Sequence, residues 1–298
     1  MEARRDTSGR MNARKPARRR VTAAVLFLIT LAAAFLLTGC GENSSLPDLS
    51  GMGNVTAVVR EEGSGTKEQF RQLVDTDENG AATTAASTND VLDTVAKDKN
   101  AIGYAAFSEA KGRDDVKILK IDGVSASNET IRSGKYPLKR NYYLAYTGSL
   151  NGVEQDFIHY VRSRGQDIVK GYCLPAYKSG TFLSDKSSGT IRIEGSTSME
   201  SMMKDLKAGY QSQNPNAKIR ITATDSGSGL TAAMQKKCDL AMSSRDLKDY
   251  EKELLTTVTV AKDAIVVVVN PDNPLTDLSK DQVKDLFDGK YSKWEELK

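Results

Sequence analysis

Three short segments of the sequence combine glycine with serine and threonine, residue types that bind small anions through backbone amides and hydroxyl groups. The segments are Gly63-Ser64-Gly65-Thr66, Gly195-Ser196-Thr197-Ser198 and Ser226-Gly227-Ser228-Gly229. Each stands where a strand-like apolar stretch gives way to a helix-like pattern. The first N–H groups of a helix lack partners within the helix and carry a partial positive charge, so they attract an anion. One such segment is typical of an ordinary helix cap, but three together predict an anion-binding site.

An arginine stands close to the first of these segments. Arg60 precedes Ser64 at the end of a predicted strand, and two carboxylates, Glu61 and Glu62, follow it directly. A guanidinium in this place can bind two oxygens of a tetrahedral oxyanion while one of the two glutamates holds it in position. The alternative is an ordinary ion pair on the surface.

The elements that would position these residues alternate along the chain. Strand-like patterns occupy residues 56–59, 101–107, 116–121, 142–146, 190–193, 218–224 and 265–269. Between them, apolar residues recur at helical spacing, and Ser279 with Gln282 forms a capping-box pattern before the last clear helix. A connector rich in Ser, Gly and Lys, residues 178–189, separates two halves. The alternation predicts an α/β fold with mostly parallel sheets.

Several longer motifs resemble one known family. They are Arg60-Glu61-Glu62-Gly63-Ser64-Gly65-Thr66, Ala101-Ile102-Gly103-Tyr104, Gly195-Ser196-Thr197-Ser198-Met199-Glu200, Met242-Ser243-Ser244-Arg245-Asp246-Leu247-Lys248 and Asn270-Pro271-Asp272-Asn273-Pro274. Together they resemble the phosphate-binding subunit of the bacterial high-affinity phosphate ABC importer, over the chain from about residue 55 to its end. The resemblance implies a two-lobed, periplasmic-binding-protein-like fold of type II with a hinge.

The order of these motifs differs from the usual order of that family, in which the Gly-Ser-Thr-Ser segment comes first. We therefore predict a circular permutation in which residues 174–189 join the old ends, a rearrangement that neighbouring surface termini tolerate. Under this interpretation residues 114–268 form a continuous lobe A, residues 55–112 and 270–298 form lobe B, and the hinge lies near residues 113 and 269. The alternative is a broken gene or a fragment of a tandem array.

The resemblance also implies a set of ligand-binding residues. Thr197 and Ser198, with Ser226 beside them, would donate to phosphate from one lobe. The other lobe would contribute a second set of donors, namely Arg60, Ser64, Gly65 and Thr66. Closure of the lobes would bring both sets onto one anion and exclude water.

One position departs from part of the family. Some members have an aspartate after Ser244 that accepts the proton of hydrogen phosphate and so rejects sulfate, whereas this chain has Arg245. Asp225, beside Ser226, is a candidate for the missing acceptor, and a plain helix-start carboxylate is the alternative. Arg245 either touches the anion or pairs with a carboxylate near the site.

The beginning of the chain predicts export and lipid attachment. A basic stretch precedes an apolar run at residues 21–37, and the sequence then reaches Gly39-Cys40, as in a lipobox. We expect residues 1–39 to be a lipoprotein signal peptide, Cys40 to carry the lipid (a palmitate-type anchor), and residues 40–54 to be a flexible tether; an uncut membrane span is the alternative. Removal of residues 1–39 leaves 34 basic and 37 acidic side chains, a net charge of −3. This near-neutral balance gives no reason to expect nucleic acid as a partner.

These observations favour a binding protein over an enzyme. The chain has one histidine, His159, and no Cys/His/Asp grouping in the sequence, which gives little basis for a catalytic triad or a zinc site. Cys173 and Cys238 can pair after export or stay as buried thiols. We expect a monomer, without cofactor, that is lipid-anchored on the outer face of the cell membrane and hands inorganic phosphate to ABC permease subunits. The alternatives are a sulfate- or molybdate-binding protein, a phosphate-ester hydrolase that uses a loop serine, and a phosphate sensor or adhesin.

Overall fold

Strands and helices alternate along residues 46–298, the part of the chain that the computed structural model describes. The predicted signal peptide, the lipidation site at Cys40 and the first residues of the tether lie outside the described residues. The strands are β1 Thr56–Arg60, β2 Ala81–Ala85, β3 Ala101–Ala106, β4 Lys117–Ile118, β5 Lys120–Ile121, β6 Lys139–Tyr146, β7 Leu174–Pro175, β8 Gly189–Ser196, β9 Ala217–Thr224, β10 Leu240–Ser243, β11 Thr256–Val269 and β12 Asp277–Leu278. The α/β class predicted from the sequence is confirmed.

The helices lie between these strands. They are α1 Gly65–Val74, α2 Thr88–Lys97, α3 Phe107–Ala110, α4 Asn128–Ser133, α5 Gly152–Arg162, α6 Gln166–Tyr172, α7 Glu200–Gln213, α8 Ser226–Met234, α9 Asp249–Leu254 and α10 Lys280–Phe287, with 3-10 turns at Thr197–Met199 and Trp294–Glu296. Ser279 caps α10 as predicted: its Oγ accepts from the Gln282 N–H, while Gln282 Oε1 accepts from the Ser279 N–H. Local capping chemistry therefore sets this helix start.

The sheet is mixed, in contrast to the mostly parallel sheet that the alternation predicted. Its central path runs in the order β2-β1-β3-β11-β6-β10-β8-β9. The strands at its two ends pair in parallel, as βα crossovers require, but β3, β11, β6 and β10 pair antiparallel. The physical reason is β11, whose 14 residues cross the middle of the sheet against the direction of both neighbours.

The same strand joins two hydrophobic clusters. Residues 256–264 of β11 pair with β6, whereas residues 265–269 pair with β3. The first cluster consists of buried residues within 49–138 and 264–297 together with Leu174, and the second of buried residues within 142–261. Two cores that share one long strand are the expected framework for a pair of lobes.

The chain crosses from one cluster to the other at positions that differ from the predicted lobe boundaries. Val116, Leu119 and Leu138 are buried in the first cluster, although the sequence assigned residues 114–268 to a single lobe. The reason is that β4 pairs with the end of β11 and β5 pairs with β12, which holds this stretch on the first cluster. The chain passes to the second cluster within β6 and returns within β11, rather than near residues 113 and 269.

The connector, the two cysteines and the helix lengths complete the description of residues 46–298. The connector at residues 178–188 contains no regular secondary structure, and Leu183 within it is 89% exposed. Cys173 and Cys238 are both buried and unpaired with each other. Along residues 46–298, no helix combines the length and the apolar character needed to span a bilayer.

Candidate functional site

The first glycine-rich segment forms the start of α1. Ser64 is its N-cap, and its Oγ accepts from the Lys67 N–H at 3.3 Å. Gly65 allows a close approach to another segment, because a Cβ atom built there would lie 2.2 Å from Ser226 Oγ and 2.9 Å from Ser244 Oγ. Glycine is therefore required at this position for two helix starts to meet.

The third segment forms the start of α8, directly against the first. Asp225 is the N-cap, with Oδ1 accepting from the Ser228 N–H at 2.8 Å and Oδ2 from the Ser228 hydroxyl at 2.5 Å. The Gly227 N–H donates to the Gly63 carbonyl at 3.1 Å. Ser226 is fully buried, and its Oγ accepts from the Ser244 N–H at 3.1 Å. Both carboxylate oxygens of Asp225 therefore accept hydrogen bonds that cap its own helix.

The second segment forms the 3-10 turn before α7 and brings its hydroxyls to the same place. Ser198 Oγ lies 2.8 Å from Thr66 Oγ1 and 2.9 Å from Thr88 Oγ1, so it bridges two hydroxyls of the facing segments. The Thr88 N–H donates to Thr197 Oγ1 at 3.3 Å. The hydroxyls of Thr66, Ser198 and Thr88 form a continuous row, which we call the hydroxyl row. The structure therefore brings together side chains from all three predicted segments.

Arg60 closes one end of the hydroxyl row. Its Nε and Nη2 donate to the two Glu61 oxygens at 2.8 and 2.7 Å, while Nη1 donates to Thr88 Oγ1 at 3.1 Å. Of the two glutamates considered from the sequence, Glu61 holds the arginine, and Glu62 pairs with Lys67 instead. Arg60 is 2% exposed and the Glu61 side chain 27%, so the pair is partly buried and charge-assisted and is not the surface ion pair that was the alternative.

Arg245 pairs with carboxylates, which was one of the two roles left open for it. Its Nη1 and Nη2 donate to Glu251 at 2.7 and 2.9 Å, and its Nε lies 2.6 Å from Glu68 Oε2. Burial alone would raise the pKa of the Glu251 carboxyl, but the hydrogen bonds from Arg245 and from the Lys248 N–H outweigh it, and this pKa lies below its ordinary value. Glu68 is on α1 and Glu251 on α9, so Arg245 links these two helices beside the site.

Three residues of the site, Thr88, Ser244 and Arg140, were missed from the sequence. Thr88 follows the N-cap Ser87 at the start of α2, and the short strand β2 before it repeats the strand-to-helix signal of the other three segments. Ser196 donates to Ser244 Oγ at 2.9 Å, and Ser244 Oγ lies 3.3 Å from Ser226 Oγ. Arg140, on β6, donates from Nη1 to Thr66 Oγ1 at 2.8 Å. No local motif marks Arg140, because its place depends on pairing between distant strands.

The chemistry of this arrangement is that of an anion site. The N-terminal ends of α1, α2 and α8 and the 3-10 turn converge on hydroxyls that both donate and accept, with two guanidinium groups beside them. Within residues 46–298, no three His, Cys, Asp or Glu side chains lie together as a metal site requires. His159 is exposed on α5 and contacts Phe182, away from these segments. The geometry thus fits reversible binding of a small oxyanion.

The fold is that of a known superfamily of binding proteins. Residues 42–164 and 181–298 match the model of the PBP superfamily domain, which covers most of the chain. The chain therefore belongs to this family. Together with a solved structure described next, this match confirms the two-lobed, periplasmic-binding-protein-like fold predicted from the sequence.

Two relatives and one solved structure are similar to this chain over most of its length. The chain is 36% identical over 288 residues to phosphate-binding protein PstS 2 of Streptococcus pneumoniae serotype 4, a match that covers 91% of this chain and 98% of that protein. It is 36% identical over 278 residues to phosphate-binding protein PstS 2 of Streptococcus agalactiae serotype V, covering 88% and 93%. The crystal structure of the phosphate-binding protein of a phosphate ABC transporter from Streptococcus pneumoniae TIGR4 superimposes with a TM-score of 0.68 at 34% identity, covering 83% of this chain and 100% of that one. The family resemblance drawn from the motifs is confirmed.

The order of the glycine-rich segments along the chain was the basis for predicting a circular permutation. A single match over 98% of the pneumococcal relative follows the same order of segments in both chains. The circular permutation was predicted relative to the usual order of the phosphate-binding subunits, and it stays a prediction.

Proposed function

We propose that this protein captures inorganic phosphate between the two hydrophobic clusters that β11 joins and delivers it to the permease subunits of an ABC importer. The observation that carries this proposal is the hydroxyl row, in which Ser198 joins Thr66 and Thr88 between two buried guanidinium groups. The names of the streptococcal relatives supply the ligand, phosphate. The role is binding and release without a chemical step.

The donors and acceptors of the site suit hydrogen phosphate. Phosphate oxygens accept from backbone N–H groups, hydroxyls and guanidinium groups, and its proton needs an acceptor on the protein. The Asp225 oxygens are engaged by Ser228, which favours the helix-start role for this residue over the acceptor role. Hydroxyl oxygens accept as well as donate, so Ser196, Ser226 or Ser244 can accept a hydrogen bond from the phosphate hydroxyl in place of a carboxylate.

Capture would involve closure of one cluster against the other. Thr66 belongs to α1, whose Phe70 packs in the first cluster, whereas Ser198 directly precedes Met199 of the second cluster. Hydrogen bonds between these segments are formed only when the clusters approach, so an anion that contacts both sides stabilises the closed state. In this proposal Arg60, Ser64, Gly65 and Thr66 bind the anion from the side of the first cluster, and Thr197 and Ser198 bind it from the side of the second. The hinge runs through β6 and β11.

The proposal also includes location and partners. Cys40 would be lipidated after removal of residues 1–39, and residues 40–54 would tether the folded body to the outer face of the cell membrane. The protein would act as a monomer without a cofactor. The permuted order would leave the site unchanged, since its segments meet through tertiary contacts.

Calorimetric titration tests the function directly. The full-length chain in mild detergent is titrated with phosphate and then with sulfate and molybdate, and we expect micromolar or tighter binding of phosphate with much weaker binding of the other two. Arg60→Ala and Thr197→Ala should each weaken phosphate binding at least about tenfold with an unchanged circular dichroism spectrum, since each removes a donor from a buried site. Unchanged phosphate affinity in both variants would refute the proposed binding site.

Sulfate binding is the second candidate function. The carboxylates of Glu61, Asp225 and Asp263, beside the site, take their hydrogen bonds from protein donors, and sulfate needs no acceptor for a proton. Tighter binding of sulfate than of phosphate in the same titration would assign the protein to sulfate.

A further inference from the structure

Arg140 is a buried cation whose orientation is set by three contacts. It lies on β6 opposite Asp263 of β11, and side chains directly opposite in an antiparallel pair share one face of the sheet. Its Nε and Nη2 donate to Asp263 Oδ2 at 3.3 and 3.2 Å, and Nη2 also donates to the Tyr142 hydroxyl at 3.1 Å. The Arg140 and Asp263 side chains are both 0% exposed. The guanidinium group is therefore held rigidly in the interior.

These contacts leave Nη1 directed at the hydroxyl row. It donates to Thr66 Oγ1 at 2.8 Å and to the Ser244 carbonyl at 3.3 Å. At the opposite end of the row, Arg60 Nη1 donates to Thr88 Oγ1 at 3.1 Å. Two guanidinium groups thus approach the same three hydroxyls from both ends.

The charge balance explains why a guanidinium here points to a ligand. Each arginine is paired with one carboxylate, Arg60 with Glu61 and Arg140 with Asp263, so each pair is neutral. Burying such pairs is unfavourable unless their hydrogen bonds are strong. A donor of Arg140 that meets a neutral threonine hydroxyl makes a weaker bond than it would make with an anionic oxygen. An oxyanion in the site would use this donor more fully than the protein does.

We propose that Arg140 binds the anion directly, with Nη1 donating to one oxygen of a tetrahedral oxyanion that also contacts Thr66 and Ser198. Inorganic phosphate is the ligand class, so this inference rests on the proposed function and adds a second arginine to the site. The anion is then held from both ends by guanidinium groups of distant segments, one at residue 60 and one at residue 140. Arg140 becomes a determinant of affinity that belongs to none of the three glycine-rich segments.

Titration of arginine variants tests this assignment. The full-length chain and its Arg140→Gln and Arg140→Lys variants are titrated with phosphate by calorimetry. Loss of a charged donor should weaken binding by about 10- to 100-fold in Arg140→Gln. Arg140→Lys should fall between, because lysine keeps the charge but not the planar fork. Arg192→Gln is the matched control, since Arg192 also pairs with an aspartate, Asp239, but on an exposed face; its phosphate affinity should equal that of the unchanged protein.

A measurement on the unchanged protein covers the case in which Arg140 variants do not fold. In a crystal structure of its phosphate complex, Arg140 Nη1 should lie within about 3.2 Å of a phosphate oxygen. A separation beyond about 4 Å would overturn the assignment, and so would folded Arg140 variants with unchanged affinity. Failure of the unchanged protein itself to bind phosphate would instead refute the proposed function, which separates the two results.

Discussion

Ser198 and Thr66, 132 positions apart in the sequence, place their hydroxyl oxygens 2.8 Å apart in a buried contact. Ser198 belongs to the 3-10 turn before α7, whose core residues lie in the second cluster, and Thr66 to the first turn of α1, which packs on the first cluster. The contact therefore joins the two clusters at the candidate site. Variants that remove or displace it test both the binding of the anion and the closure of the protein.

Removal of the Thr66 hydroxyl should weaken phosphate binding. Thr66→Val keeps the side-chain shape, so we expect an unchanged fold and an affinity at least about tenfold lower, the size of one hydrogen bond to a charged group. The measurement is calorimetric titration. Thr94→Val is the control, because the Thr94 hydroxyl donates only to the Asp90 carbonyl within α2. Equal affinities for the two variants would exclude Thr66 from the site.

A methyl group at Gly65 should separate two helix starts. Its Cβ would lie 2.2 Å from Ser226 Oγ and 2.8 Å from Ser226 Cβ, so α1 and α8 must move apart. We expect Gly65→Ala to lower phosphate affinity more than about tenfold and to lower the Tm. Gly180→Ala, with no atom within 4 Å of the added Cβ, should behave like the unchanged protein. If Gly65→Ala keeps full affinity, the close approach of the two segments is not needed for binding.

The ion pair of Arg245 with Glu251 should stabilise the folded state at neutral pH and lose this effect in acid. The pKa of Glu251 lies below its ordinary 4.5, so its contribution to the free energy of unfolding is present above about pH 4.5 and declines as the pH falls through the lower folded-state value. Glu251→Gln should lower the free energy of unfolding at pH 7 by about 3 kcal/mol, since it leaves a buried arginine with less compensation. Urea unfolding between pH 7 and pH 3 should show this difference shrinking with acid. The exposed Glu253→Gln is the control, and a difference independent of pH would contradict the assignment.

Glu78 should act in the opposite sense. Its side chain is 2% exposed, Lys67 Nζ lies 3.6 Å from Oε2, and the Tyr104 hydroxyl also lies beside this carboxyl. Burial raises the pKa of this carboxyl above 4.5, so ionised Glu78 destabilises the folded state above that raised pKa, and the penalty is relieved as the pH falls toward 4.5. Glu78→Gln should therefore be more stable than the unchanged protein at pH 8, and the advantage should fade near pH 4.5. An unchanged or lower Tm at pH 8 would show that Lys67 compensates the charge.

Much of this protein was readable from local sequence patterns. The three glycine-rich segments, the strand-to-helix junctions and the capping box at Ser279 depend on residues that are neighbours in the chain, so local backbone chemistry determines them. The pairing of Arg60 with an adjacent glutamate was also predicted, since Glu61 follows it directly. The α/β class and the family resemblance come from the same local information.

Tertiary structure alone decided the rest. Arg140 reaches the site because β6 pairs with β11 across more than a hundred residues. Arg245 meets Glu68 because the segment after β10 contacts α1, where Gln69 Oε1 accepts from the Asp246 N–H. The chain crosses between the clusters in β6 and β11, and not near residues 113 and 269, because the 14-residue β11 pairs with β6 along its first part and with β3 along its last. Such choices are set by long-range packing and strand register, which no single stretch of sequence encodes.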